Sequence, residues 1–525
     1  MARPLRSLWL AALVRVSMAS LALTACGGGG KPTGTKDPDP PPVDTTPVIV
    51  PVTAATVTVD VEQVTIAMYR GATLRATVRD GNGAVLTGRT ITWVTDAPSV
   101  VTLSPAGSTV SLVTQSPGQT TVRVVVDGKA DTVRVTVTSP VEARALWITR
   151  FEYTTSSSAD PAKIAAIMQK AASANFNIVY FQVRAAGDAF YRSTIEPCSP
   201  RVCGTLGGPP AVDPLAVAIT EAAKYGIQVH VWLNALTGWI SNTAAACAQL
   251  IESTPRHMLL EHPDWAMVDS TGAPQRCGPL TPEYVWVSPG VPGVRTRLAQ
   301  VAADIARRYP VRGVHLDRIR YPTTRLSWDT ASVNSYVRAF GMAPTASAAS
   351  WANHRREFVN AAVREVADSL RAVDRTLVLS AAVWPVYKAM PGWSSSKGFD
   401  DYLQDPRAWA ISGSLDVAVP MTYPASATST SYTVKSDLCA NLDWTCLLNE
   451  HRLLIEQGAG RHVYIGVGAI KGWSEVQLQL AKGREQFATG YSFYSFSQVD
   501  AFNGWTLLAE SYFKFPAVIP AMGWK

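Results

Sequence analysis

The sequence predicts a (β/α)8 barrel with long βα loops, preceded by a small β-sandwich. Three observations carry that prediction. Across 141–525, eight short apolar runs alternate with helical patterns, the signature of a parallel sheet closed by crossover helices. Seven of those runs end in polar or aromatic residues, as expected where strands deliver side chains to one rim. Across 52–139, Val, Thr and Ile recur with period two between turn clusters such as Asp80-Gly81-Asn82-Gly83 and Ser116-Pro117-Gly118. The 525 residues, 47% hydrophobic and 17% charged, are enough to bury both cores. The net charge of +7 is modest, and no Lys/Arg patch with interleaved aromatics stands out, which argues against nucleic acid as a partner.

Residues 1–25 carry Arg3 and Arg6 and then an apolar run, Leu8 to Leu23, short for a membrane-spanning helix. Leu23-Thr24-Ala25-Cys26 resembles the lipobox of bacterial lipoproteins. The resemblance implies a signal peptide cleaved before Cys26, lipid on Cys26, and anchorage to a membrane. Gly27, in place of Asp, implies sorting to the outer membrane of a Gram-negative envelope. Residues 26–51 are rich in Gly and then Pro and cannot form a core, so they read as a tether.

Within 52–139 six strands are expected: Val57–Val61, Thr73–Val78, Thr90–Val94, Val110–Val113, Thr120–Val126 and Thr132–Val137. Trp93 would fill the centre. The series Gly71-Ala72-Thr73-Leu74, Ile91-Thr92-Trp93, Ser99-Val100-Val101 and Pro117-Gly118-Gln119-Thr120 resembles the bacterial Ig-like domain of group 2. No constellation of reactive groups appears in it, which favours a spacer.

In 141–525 the expected strands are Ala145–Thr149, Asn177–Val183, Ile227–Leu233, Val311–Asp317, Thr376–Val383, Leu415–Met421, His462–Gly468 and Gly490–Phe496. Helices are expected between them, among them one capped by Asp160 and Pro161, Pro214–Tyr225, Gly293–Tyr309, Ala352–Val373 and Val476–Thr489. The fourth strand is the centre of the reading. Val311 to Pro322 reads VRGVHLDRIRYP; the run turns abruptly charged, and Pro322 forbids a continuing ladder. His315 and Asp317 share one face, so a carboxylate reaches the C-terminal rim.

The other strand ends offer Arg150 and Glu152, Gln182, Arg184 and Asp188, Trp232 and Asn234, Arg320 and Tyr321, Trp384 and Tyr387, Met421 and Tyr423, and Tyr494 and Gln498. An ordered series of motifs runs through them. It includes Phe181-Gln182-Val183-Arg184 with Gly187-Asp188-Ala189, and Val231-Trp232-Leu233-Asn234. It continues with His262-Pro263-Asp264-Trp265, the segment Ser288 to Arg295, and Gly313 to Asp317 with Arg320-Tyr321-Pro322. Trp384-Pro385-Val386-Tyr387, Gln404-Asp405 with Trp409, and Pro420-Met421-Thr422-Tyr423 complete it. Over roughly 143–500 this series resembles the glycosyl-hydrolase-like family 10 barrel. That resemblance implies a glycan substrate in the cell envelope, with denuded peptidoglycan strands as one example. Members often carry a second Asp or a Tyr after the fourth-strand Asp; here it is Arg318, expected by strand alternation to point away from Asp317.

Glycoside hydrolysis usually takes two carboxyls. Asp317 is the first, as nucleophile or charge stabiliser, with Arg184 and Arg320 as counter-charges. Asp188 is the preferred second, ahead of Glu152, Glu196, Asp400, Asp401 and Glu475, because it sits in a matched motif. Asn234, Arg184, Arg320, Tyr321, Trp384, Tyr387 and Tyr423 are the expected substrate-binding residues. No metal-ligand spacing, phosphate loop or dinucleotide fingerprint appears, so neither metal nor cofactor is expected. Besides Cys26 there are six cysteines, an even number in an exported chain. The pairs Cys198–Cys203, Cys439–Cys446 and Cys247–Cys277 are expected to staple the rim loops. The alternative to a hydrolase is a catalytically silent glycan-binding lipoprotein, and the second carboxyl is what separates the two.

Overall fold

Eight strands rather than six build the N-terminal region, in a computed structural model that describes residues 52–241, 243–278, 283–389, 393–427 and 442–525. They are β1 (Thr56–Val59), β2 (Gln63–Ala67), β3 (Gly71–Arg79), β4 (Thr92–Thr95), β5 (Val101–Ala106), β6 (Thr109–Thr114), β7 (Gly118–Val126) and β8 (Lys129–Thr138). Two four-stranded sheets result, ordered β1-β3-β6-β5 and β2-β8-β7-β4. The alternation works as expected: Val122, Val124 and Val126 on β7 and Val133, Val135 and Val137 on β8 are buried, together with Trp93. Asp127 and Gly128 both take positive φ and close the β7–β8 hairpin, the conformation a two-residue turn demands. β5 was not expected because it contains Pro105, and it survives as a strand only because it lies at a sheet edge. β2 is short and only one of its residues, Ile66, is buried, so its periodicity is faint.

The larger region is a closed barrel. Its strands are β9 (Ala143–Ile148), β10 (Ile178–Arg184) and β11 (Gln228–Asn234). A side hairpin, β12 (Thr237–Ile240) with β13 (Tyr284–Trp286), leaves the third strand end. β14 (Gly313–Asp317), β15 (Val378–Val383), β16 (Val417–Pro420), β17 (His462–Val467) and β18 (Gly490–Phe493) complete it. All eight barrel strands pair in parallel, and β18 returns to β9. Every strand expected from the apolar runs is present. Asp160 accepts from Ala162 N at 2.9 Å and Lys163 N at 3.2 Å, capping the first crossover helix ahead of Pro161. The hairpin and a helix at Thr330–Phe340 are insertions that strand-helix alternation does not announce.

Leu146, Phe181, Val231, Leu316 and Ile465 face the surrounding helices, while Trp147, Tyr180, Tyr464 and Val417 fill the barrel's inside. That interior is partly polar. Trp147 Nε1 donates to His315 Nε2 at 3.1 Å, and His315 Nδ1 lies 2.9 Å from Ser380 Oγ. Nε2 therefore accepts, Nδ1 carries the proton, and the ring is neutral; burial, and then His230, hold its pKa well below the ordinary histidine value.

Ala54–Lys525 form one compact unit. Buried Glu142 binds Arg144 at 2.7 Å and Arg484 at 3.2 Å where the two regions meet. Arg484 also stacks on Tyr69 of the sandwich at 3.5 Å, and Phe515 packs into the sandwich core. The expected disulfides Cys198–Cys203 and Cys247–Cys277 are formed. Cys439 of the third expected pair, and the leader, Cys26 and tether, lie outside the described residues.

Candidate active site

A cleft of about 510 Å³ opens at the C-terminal ends of the barrel strands. Its position follows from the topology, since strand ends and βα loops converge there. Asp317 ends β14 beside Asn234 at the end of β11, its direct partner in the ladder. Asp317 Oδ1 accepts from Arg318 N at 2.6 Å. The floor is aromatic. Trp147 meets Tyr423 edge-on at a centroid distance of 5.5 Å, and Tyr423 stacks on Tyr494 at 5.0 Å. Burial, and then the charge of Asp317, raise the pKa of both tyrosines, so each keeps its hydroxyl proton. Phe151 stands at the rim with 56% of its surface exposed, backed by Arg150 at 4.2 Å and Arg201 at 4.8 Å from its ring.

Arg318 does not point away from Asp317. Its φ is +52°, so strand alternation stops at Asp317 and the side chain turns into the cleft. There it donates to Glu283 Oε1 at 2.6 Å and lies over Tyr284 at 4.8 Å. Burial disfavours its charge, but Asp317, Tyr284 and Glu283 outweigh that and raise its pKa. Among the described residues, Asp317 and Glu283 are the carboxyls that line the cleft.

Arg320 occupies a different environment. Its guanidinium lies 5.0 Å from the rings of Trp384 and Tyr402 and 5.4 Å from Trp286. Burial, and then repulsion from Arg318, lower its pKa to about 10 despite Asp317. Its Nε is buried without a hydrogen-bond partner.

A model of the family described as glycosyl hydrolase-like 10 matches residues 142–445. The chain belongs to that family. The glycosyl hydrolase DigH of Escherichia coli K12 is 29% identical over 268 residues, 49% of this chain and 57% of its own. The glycosyl hydrolase YngK of Bacillus subtilis is 24% identical over 338 residues, 59% of this chain and 60% of its own. The chain thus spans a little over half the length of the curated relatives it matches. Among solved structures, the PgaB (BpsB) glycoside hydrolase domain of Bordetella bronchiseptica is similar with a TM-score of 0.48 and 14% identity, over 73% of this chain and all of that one.

In this glycosyl hydrolase-like 10 barrel, the residues singled out by sequence divide sharply. Asp317, Asn234, Arg320 and Tyr423 line the cleft, and Trp384 stands behind Arg320. Asn234 is engaged at three of its four positions: Oδ1 accepts from Trp232 Nε1 at 3.1 Å and Gln182 Nε2 at 3.3 Å, and Nδ2 donates to Ala185 O at 3.1 Å. Its amide fixes the floor.

Asp188 is not in the cleft. It is buried beneath the rim, where Oδ1 accepts from Ala186 N at 2.8 Å across the turn made by Gly187. Arg184 is also withdrawn, paired with Glu196 at 2.8 Å with both side chains 1% exposed. Tyr321 is fully buried near Arg355, and Tyr387 donates to Asp405 Oδ1 at 2.8 Å; neither lines the cleft. Of the other carboxyls weighed as the second, Glu152 accepts from Thr149 N, Ser495 Oγ and Ser497 N, and Glu475 from Ala427 N. Asp401 accepts from Lys397 N, and neither it nor Asp400 lines the cleft. Glu283, Tyr284 and Phe151 were missed. Glu283 and Tyr284 enter on the unannounced hairpin, and nothing in their local sequence marks them as rim residues.

Proposed function

We propose that this protein is a glycoside hydrolase of the bacterial envelope that cleaves O-glycosidic bonds in a polysaccharide, with Asp317 as its central carboxylate. The observation that carries the reading is the pairing of Asp317 and Glu283 in one aromatic-floored cleft at the C-terminal rim. Two carboxyls flanking one bond are what glycoside hydrolysis uses. Asp317 takes the role facing the anomeric carbon, with Arg318 and Arg320 beside it. Glu283, with 54% of its side chain exposed, takes the proton-transfer role and must exchange Arg318 for substrate. Tyr423, Tyr494 and Phe151 offer faces for sugar rings.

The test is release of soluble saccharides from purified envelope glycan. Wild type should release them, and Asp317→Asn should lower the rate on the order of a thousandfold while still binding the glycan. Retained release removes Asp317 from the chemistry, and binding without release by wild type makes the protein a silent glycan binder. The lipobox-like Leu23-Thr24-Ala25-Cys26 supports anchorage through lipid on Cys26, with outer-membrane sorting from Gly27, and the Ig-like region supports a spacer role. Labelling with a fatty-acid analogue should mark wild type and leave Cys26→Ser unlabelled.

A further inference from the structure

We propose that the cleft recognises a carboxylate carried by the glycan, with Arg320 as its receptor. This rests on the hydrolase reading for the identity of the cleft. Arg150, Arg318 and Arg320 line the cleft against two carboxylates, Asp317 and Glu283. Arg318 is joined to Glu283 by its side chain and to Asp317 by its backbone. Among the described residues neither Arg150 nor Arg320 forms an ion pair at contact distance, although Asp317 and Glu283 act on Arg320 from farther off.

Arg150 is buried and satisfied in part by neutral groups: Nη1 donates to Gln182 Oε1 at 3.2 Å and Nη2 to Tyr284 Oη at 3.2 Å, while Nε has no partner. Arg320 is less satisfied still. Among the described residues it makes no hydrogen bond at all, and three aromatic rings surround it. A guanidinium carries five N–H donors in a planar fork. Aromatic faces attract its charge but accept little from donors lying in its plane. Arg320 is half-buried: its Nε is shut off from water with no acceptor, a costly state, while the rest of the fork borders the cleft, where a ligand can supply acceptors.

The ligand that fits is a planar anion able to meet the fork side by side, which is a carboxylate. A neutral sugar hydroxyl would leave both the charge and the fork geometry unanswered. The walls agree, because Trp286, Trp384 and Tyr402 hold the fork in place and exclude water once a sugar covers the cleft. Two sugar chemistries supply such a group near a glycosidic bond: an ether-linked carboxylic acid on an amino sugar, and a hexuronic acid. The chemistry at Arg320 is the same for both.

The experiment measures binding, so it stands even if no turnover occurs. The protein is Asp317→Asn, to keep the glycan intact. The probes are peptide-free peptidoglycan oligosaccharides, a polyuronate oligosaccharide, and each of these after chemical reduction of its carboxyls to alcohols. At least one acidic probe should bind about tenfold or more tightly than its reduced form, the difference expected for one charge-assisted contact. Which acidic probe shows the preference identifies the source. Adding Arg320→Gln should bring the acidic and reduced affinities together, and Arg320→Lys should restore only part of the gap. Equal affinity for acidic and reduced forms of both glycans overturns the proposal, as does a preference that Arg320→Gln leaves intact. If Arg320→Gln does not fold, the acidic-against-reduced comparison on the parent protein decides. Failure of saccharide release with the carboxylate preference retained would sink the hydrolase reading and leave this one standing.

Discussion

Two arginines leave the rim on either side of β11 and end in opposite circumstances. Arg184, from β10, has Nε and Nη2 on Glu196 and Nη1 on the carbonyls of Asn234 and Ala235. Arg320, just beyond β14, lies against three aromatic rings and, among the described residues, makes no hydrogen bond. Arg184 is fully withdrawn from water, where an unpaired guanidinium is costly, whereas Arg320 is only half-buried, with its Nε alone shut off. Around Arg184 the fold itself repays that cost, so the quadrant of Arg184, Asp188 and Glu196 is finished as built. Around Arg320, Asp317 and Glu283 it is not. Charge at a strand end therefore marks a functional group only where its partners are missing. A sequence shows the charge but not the partners.

The largest expected effect falls at Arg184. Arg184→Met should cost about 3–5 kcal/mol, because Glu196 is left buried without its counter-charge; denaturant unfolding reads this. A loss under about 1 kcal/mol would mean the closed quadrant is not held by the pair.

Glu283→Gln should act in the other quadrant and on another quantity. Its ion pair with Arg318 is half exposed and contributes little to stability. The expected change is a fall in saccharide release on the order of a hundredfold with an unchanged unfolding midpoint. Unchanged release would return the second-carboxyl role to another residue.

Beneath both quadrants lies His230, whose pKa burial, and then Arg312, lower to about 3. The unfolded chain then binds a proton that the folded chain refuses. Stability is full above about pH 6.5 and falls towards about pH 3, at up to ~1.4 kcal/mol per pH unit from this group. Unfolding midpoints of wild type and His230→Gln should diverge least at low pH, where wild type has lost most of its advantage. Parallel pH curves for the two proteins would show that His230 does not contribute.

The smallest effect belongs to Asp188→Asn. Asparagine keeps the acceptor for Ala186 N, so stability should change by about 1 kcal/mol or less and saccharide release should hold. A loss of release on the scale of Asp317→Asn would show that the buried quadrant takes part in the chemistry.

Most of the barrel was legible because each strand is an apolar run closed by a helix signal, and Asp317 was legible as the charged end of one. The misplaced residues share a physical cause. Counting alternate positions puts Arg184 on the face of Gln182 and sends Arg318 away from Asp317. The ladder shifts register between Gln182 and Arg184, and Arg318 adopts positive φ. Both strands lose their two-residue parity at the rim, where function is read. Glu283 was hidden for another reason: a hairpin inserted into a βα loop has no periodic relation to the barrel. In the sandwich, Pro105 concealed an edge strand.

The junction through Glu142, Arg144 and Arg484 has its own consequence. A buried charge shared by two arginines, with Tyr69 clamped under one of them, does not pivot cheaply. Sandwich and barrel therefore share buried ionic contacts within the one compact unit Ala54–Lys525, so a substitution at Glu142 would be felt on both sides of the seam.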